Sequence, residues 1–126
     1  MNDHPDATEL LEIARRTLLD DVLPRLPEDL RYSARMIANA MAIAAREHAA
    51  GDITAMAELA RLQKLYREQQ HVPAASALRA ALSNYNRRLA ADIRAGRCDG
   101  WGGLRDHLAQ TTTDKLAIAN PKALDN

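Results

Sequence analysis

The chain has 126 residues, and its 17 Lys and Arg balance 17 Asp and Glu to a formal net charge of zero. That balance excludes bulk electrostatic attraction to nucleic acid or to an anionic membrane as its mode of action. Phe is absent, Trp occurs once and Tyr three times, while Ala and Leu, which lose little side-chain entropy in a helix, are abundant; the composition excludes a strand-rich fold and predicts an all-α protein.

The first five residues are expected to fray. Asp6 is placed to cap a first helix, with Glu9 at capping-box spacing. Its apolar face is read as Leu10, Leu11, Ala14, Leu18 and Val22. Pro24 and Pro27 stop it, because proline lacks the amide donor and clashes with the preceding turn. A second helix is predicted from Pro27–Leu30 to Ala50, with Glu28 and Asp29 at the positive end of its dipole and Gly51 as its stop. Asp52 is expected to cap a third helix reaching about Glu68, with Ile53, Met56, Leu59, Leu62 and Tyr66 inward.

Pro73 opens a fourth helix whose inner stripe is Leu78, Leu82, Tyr85, Leu89 and Ile93, and Gly96 ends it. The stretch Arg97–Gly103 reads as a loop by its glycines. A fifth helix runs from about Leu104 to Ala119, closed by Pro121. The prediction is a single-domain bundle of about five helices over residues 1–126, with 1–5 and 122–126 frayed.

The second helix carries the densest polar pattern. At ~100° per residue, Arg31, Arg35, Asn39 and Arg46 fall on one side together with Ala42, and Ile37, Ala40, Met41 and Ala44 fall on the other as the expected core stripe. Such a ladder serves equally as a solvated face or as a docking or anion-contacting one, since each guanidinium pairs with carboxylate or phosphate at two points. Asn39 favours the second use, because Asn is a mediocre mid-helix residue unless its side chain holds something. Glu47 lies at the edge of the expected core stripe and would need a cationic partner if buried. Near the C-terminus, Lys115 suits the negative end of the last helix, and Asn120-Pro121 stops it; the same segment is also a candidate to share a surface with the second helix.

Other chemistry is weakly signalled. Gly100-Trp101-Gly102-Gly103 precedes a helix as some phosphate-binding loops do, but no strand leads into it and no Walker pattern is present; Trp101 reads as a lid or a contact residue. Arg87, Arg88, Arg94 and Arg97 form a modest basic patch without the interleaved aromatic residues that stack nucleobases. His4, His48, His71 and His107 show no metal-ligand spacing, and no cofactor is implied. Cys98 has no neighbouring base to activate it and no partner for an internal disulfide. No apolar run approaches the ~18–20 residues that span a bilayer, and no secretory leader pattern is visible, so a cytoplasmic location is expected.

The opening Asp-x-Pro with Glu-Leu-Leu, the central Leu-Arg-Tyr-x-Ala-Arg-x-x-Ala-Asn-x-x-Ala-Ile-x-x-Arg-Glu and the final Lys-Leu-Ala-Ile-Ala-Asn-Pro resemble a family of small bacterial helical proteins known as a domain of unknown function. The likeness runs from about Asp3 to Leu124 and is poor over residues 53–72. Such proteins accompany aminoglycoside-phosphotransferase-like kinases and acyl-CoA dehydrogenases, as in levulinate-type acid catabolism, where kinase and small partner together phosphorylate a hydroxyacyl-CoA. The resemblance implies a non-catalytic accessory subunit with a kinase, and an acyl-CoA dehydrogenase, as partners. It places partner or anion contacts at Arg31, Arg35, Asn39, Arg46, Glu47, Lys115 and Asn120. The chain lacks a kinase's own machinery: Asp114 and Asn120 stand six apart on a predicted helix, without an upstream His-x-Asp. The alternative is a self-associating helical scaffold with no part in chemistry.

Overall fold

The computed structural model describes residues 4–125. Its described residues form five α-helices and no strand: α1 (Ala7–Thr17), α2 (Glu28–Ala50), α3 (Ile53–Leu65), α4 (Ala75–Arg94) and α5 (Leu104–Ala119). No helix is long and apolar enough to cross a membrane. The all-α class is therefore as the composition predicts. The contacts gather into two compact units, one ending at Gly51 and one starting at Asp52.

The first unit is a helical hairpin. Asp6 caps α1 as expected, its Oδ1 accepting from the Glu9 amide at 2.9 Å. His4, which was expected to fray, is tied to the same turn, its Nδ1 lying 3.0 Å from Glu9 Oε1; Met1–Asp3 lie outside the described residues. Beyond Thr17 the chain loosens into a π-helical turn, Leu18–Val22, then tightens into a 3₁₀ turn, Leu23–Arg25, with Pro24 in it. Pro27 precedes α2, where its missing amide costs nothing, and Gly51 ends α2 with φ 60, a conformation open to glycine.

The packed face of α2 is not the one its larger side chains suggested. Ala34, Ala38, Ala42 and Ala45 are buried, whereas Ile37, Ala40 and Ala44 are exposed and Met41 is half-buried. Ala42, expected among the arginines, is thus core. A seam of methyl groups lets two helices approach closely and loses no rotamer freedom on packing, so α2 meets α1 through its smallest residues. On α1 and the π turn after it, Leu11 and Leu18 are half-buried, but Leu10, Ala14 and Val22, expected to face inward, are exposed.

The second unit packs α3 against both α4 and α5. Leu62, Leu89 and Cys98 are its buried centre, and Leu65, Tyr66, Leu82, Tyr85, Trp101 and Leu104 pack around them. Leu59 and Leu78 are buried as expected, but Ile53 (78% exposed), Met56 and Ile93 are not. Asp52 occupies the N-cap position of α3 without a side-chain cap bond, and α3 stops at Leu65 rather than near Glu68. Buried Gln63 fixes the departing chain at two points: its Nε2 donates to the His71 carbonyl (2.9 Å) and its Oε1 accepts from the His71 amide (3.2 Å). After α5, Pro121–Leu124 form a 3₁₀ turn, so Lys122–Leu124 are ordered rather than frayed; Asn126 lies outside the described residues.

Candidate functional site

The residues expected to contact a partner divide between the two units. On α2, Arg31 is half-buried and its Nε donates to the Leu26 carbonyl at 3.2 Å, closing the turn before the helix. Arg31 is thus a structural clamp. Arg46 is half-buried and Glu47 exposed, each engaged in an interaction of its own. Arg35 and Asn39 are exposed. Lys115 and Asn120, in the second unit, are exposed as well. Beside Arg35 and Asn39 on α2, Tyr32 is 72% exposed and Met36 50%, and further round the helix Ile37 is 51% exposed. Because alanines fill the inner seam, the hydrophobic side chains of greatest area are left outward on this helix.

A second feature lies wholly within the unit from Asp52 onward. A cleft of about 1110 Å³ opens between the C-terminal half of α3, the second half of α4 and the loop leading into α5. Its cations are Arg61, Lys64, Arg67, Arg88 and Arg97, against the carboxylates of Asp92 and Asp106. With Glu68 on Arg88 and Asp114 beside Arg61, four carboxylates stand against these five cations, and Lys64 and Arg67 are the two without an ion pair among the described residues.

Two side-chain networks stiffen the wall. Asp92 accepts from the Tyr66 hydroxyl (2.6 Å) and from Arg97 Nε (2.8 Å). The Tyr66 hydrogen bond, and then the Arg97 cation, hold the Asp92 carboxyl below the usual carboxylate range, while burial and the Asp92 hydrogen bond push the Tyr66 phenol up. Glu68 accepts from the Tyr85 hydroxyl and from Arg88 Nη1 (2.6 Å for the second), and both hold it ionised. The Arg88 guanidinium lies 3.8 Å from the centre of the Tyr66 ring, and the edge-to-face pair of Tyr66 and Trp101, 5.2 Å between ring centres, joins this wall to the glycine loop.

Arg61 and His107 make the opposite wall. Arg61 Nε donates to His107 Nδ1 at 3.4 Å, and Arg61 Nη2 donates to Thr111 Oγ1 at 3.2 Å and lies 3.8 Å from Asp114 Oδ2. With Nδ1 as acceptor the neutral ring carries its proton on Nε2, and buried Nε2 has no hydrogen-bond partner. Burial first, and then the Arg61 cation, push the His107 imidazole below its ordinary value. The folded state therefore binds fewer protons than the unfolded chain as pH falls below about 6.5. Stability should fall with pH through that window, before Glu68 and Asp92, whose carboxyls titrate lower, lose theirs. In His107→Leu this early loss should vanish; denaturant midpoints at pH 7.5 and 5.5, followed by Trp101 fluorescence, read it.

The sequence pointed to parts of this cleft. Arg88, Arg97 and Gly100–Gly103 line it, whereas Arg87 and Arg94 do not. Arg61, Lys64, Arg67 and His107 went unnoticed, although Arg61 and Lys64 stand at helical spacing on α3 and Arg67 follows in the turn that ends it. Among the described residues no group of three or more His, Cys, Asp or Glu could hold a metal ion. Cys98 is buried, and burial raises its thiol above the ordinary value, the opposite of what an activated nucleophile needs.

No curated protein and no solved structure matches the chain. A model of the family described as a domain of unknown function, DUF6285, matches residues 24–123, from the turn before α2 to the end of the chain's last helical turn. With that match spanning most of its length, the chain belongs to the DUF6285 family.

Proposed function

We propose that the protein is a non-catalytic accessory subunit that binds and supports an aminoglycoside-phosphotransferase-like kinase acting on hydroxyacyl-CoA in acid catabolism, with an acyl-CoA dehydrogenase as a further partner. The identity of the partner comes from the resemblance of the α2 and C-terminal motifs. The surface comes from one observation: α2 leaves Tyr32 and Met36 exposed beside Arg35 and Asn39, with Ile37 exposed further round the helix. Aromatic, Met and Arg side chains in one patch are the composition of the energetic centre of a protein interface. The apolar area supplies the driving force when covered, and Arg35 adds orientation by two-point pairing with a carboxylate. The same face would also accept a second copy of the chain, and zero net charge leaves little repulsion against it.

The test is co-purification with a kinase of this type from the same genome. The wild-type chain should retain the kinase, and Tyr32→Asp/Met36→Asp should release it. Arg35→Ala should weaken the complex by about 1–3 kcal/mol, the range for losing a charged hydrogen bond. Sedimentation of the chain alone separates the scaffold reading, which requires a dimer that the same double substitution breaks.

A further inference from the structure

We propose that the cleft between α3, α4 and the Gly100–Gly103 loop binds an organic di- or triphosphate, the group shared by nucleoside triphosphates and coenzyme A. The inference is independent of the partner reading, which rests on the outer face of α2.

The charge is the first ground. Of the lining cations, Arg61, Arg88 and Arg97 are matched by Asp114, Glu68 and Asp92. Lys64, in the last turn of α3, and Arg67, in the turn that follows, are exposed and line the same cleft, and neither makes an ion pair among the described residues. They are therefore the cations left to meet an anion.

The backbone is the second ground. Arg67 has φ 56, a left-handed conformation that a residue with a Cβ rarely adopts. The turn ends α3, the Arg67 amide donating to the Lys64 carbonyl and the Glu68 amide to the Gln63 carbonyl; glycine would hold it with less strain, so the backbone does not account for an arginine there. On the facing loop the asymmetry is reversed. Gly102 has no left-handed φ, and a Cβ built on it would meet nothing within 4 Å. Neither the turn nor the packing demands glycine there, and its bare backbone leaves room for a ligand to lie against the loop.

The third ground is polar groups without partners. The first turn of α5 follows Gly103, which offers no side-chain cap, so its leading amides carry the positive end of a 16-residue helix without a capping side chain. His107, one turn on and 3% exposed, lines the cleft with an Nε2–H that has no acceptor. That nitrogen is closed to solvent in this conformation, so a phosphate oxygen, a strong acceptor, meets this costly unpaired donor once the imidazole turns toward the cleft. Trp101, half-buried beside the loop, gives the cleft a flat apolar wall against which the organic part of a phosphate ester can rest. The volume suits a ligand of that size. The Asp106 carboxylate, in the first turn of α5, also lines the cleft and opposes an anion.

Titration calorimetry on the full chain at low salt tests this, with pyrophosphate, ATP and coenzyme A as probes. ATP or coenzyme A should bind, and more tightly than pyrophosphate; whichever of the two is preferred identifies the source of the phosphate. Lys64→Ala/Arg67→Gly should weaken binding about tenfold or more, the loss expected for charge-assisted hydrogen bonds. Asp106→Asn should tighten it. Arg67→Gly alone should unfold at an equal or higher denaturant concentration than wild type, which separates a lost contact from a lost fold. Absence of binding by all three probes to the wild-type chain overturns the proposal. Binding that is unchanged in the double variant overturns it as well.

Discussion

Leu62→Ala is expected to lower the stability of the unit from Asp52 onward by about 3 kcal/mol, within the range for truncating a fully buried leucine. Among the described residues Leu62 is the one large side chain with no exposure at all, and it sits at the centre of a small cluster with Leu89 and Cys98. The alanine leaves a cavity whose lining, including Tyr66, Tyr85 and Trp101, is held by the Asp92 and Glu68 networks and cannot collapse freely. Both the lost transfer free energy and the residual void therefore count. The chain's single Trp packs on this cluster, so its fluorescence in a denaturant titration reports this unit directly. Met56→Ala on the same helix, at an exposed position, should change the midpoint by no more than about 0.5 kcal/mol.

The second large effect is expected at the alanine seam. Ala38→Leu should destabilise the α1–α2 hairpin by about 1–3 kcal/mol, because three added carbons have no room between closely approaching helices. Ile37→Ala, next in sequence and a change of the same number of carbons, should cost no more than about 0.5 kcal/mol, since Ile37 is already 51% exposed. Hydrogen exchange of the α1 and α2 amides measures both. Equal effects at the two positions would show that the hairpin packs through another face.

These two positions also mark what could be read from the residues. Stops and starts were legible because they are chemically local. Pro27, Gly51, Gly96 and Pro121 fix φ or remove a donor wherever they stand, and Asp6 caps its own helix from the adjacent turn. The inward face of α2 was not. A wheel weighted by hydrophobicity puts Ile37 and Met41 inside, but the choice between faces is made by how closely the partner helix approaches, and alanines win when that approach is close. The five-residue π turn after α1 left no local signature either.

The cleft shows the same division. Its glycine loop stood out in the sequence, and so did Arg88 and Arg97. The α3 cations did not, because Arg61 and His107 are 46 residues apart and meet only when α3 and α5 pack. Without that packing, Arg61, Lys64 and Arg67 read as an ordinary solvated edge.

The central claim is that α2's outer face is built to be covered by another protein, and sedimentation velocity on an equimolar mixture of this chain and the kinase tests it most directly. A heavier species should form with the wild-type chain and be lost with Tyr32→Asp/Met36→Asp, whose far-UV circular dichroism stays unchanged. A complex that sediments identically with the double variant, or a wild-type chain that never leaves its free position, would contradict the account.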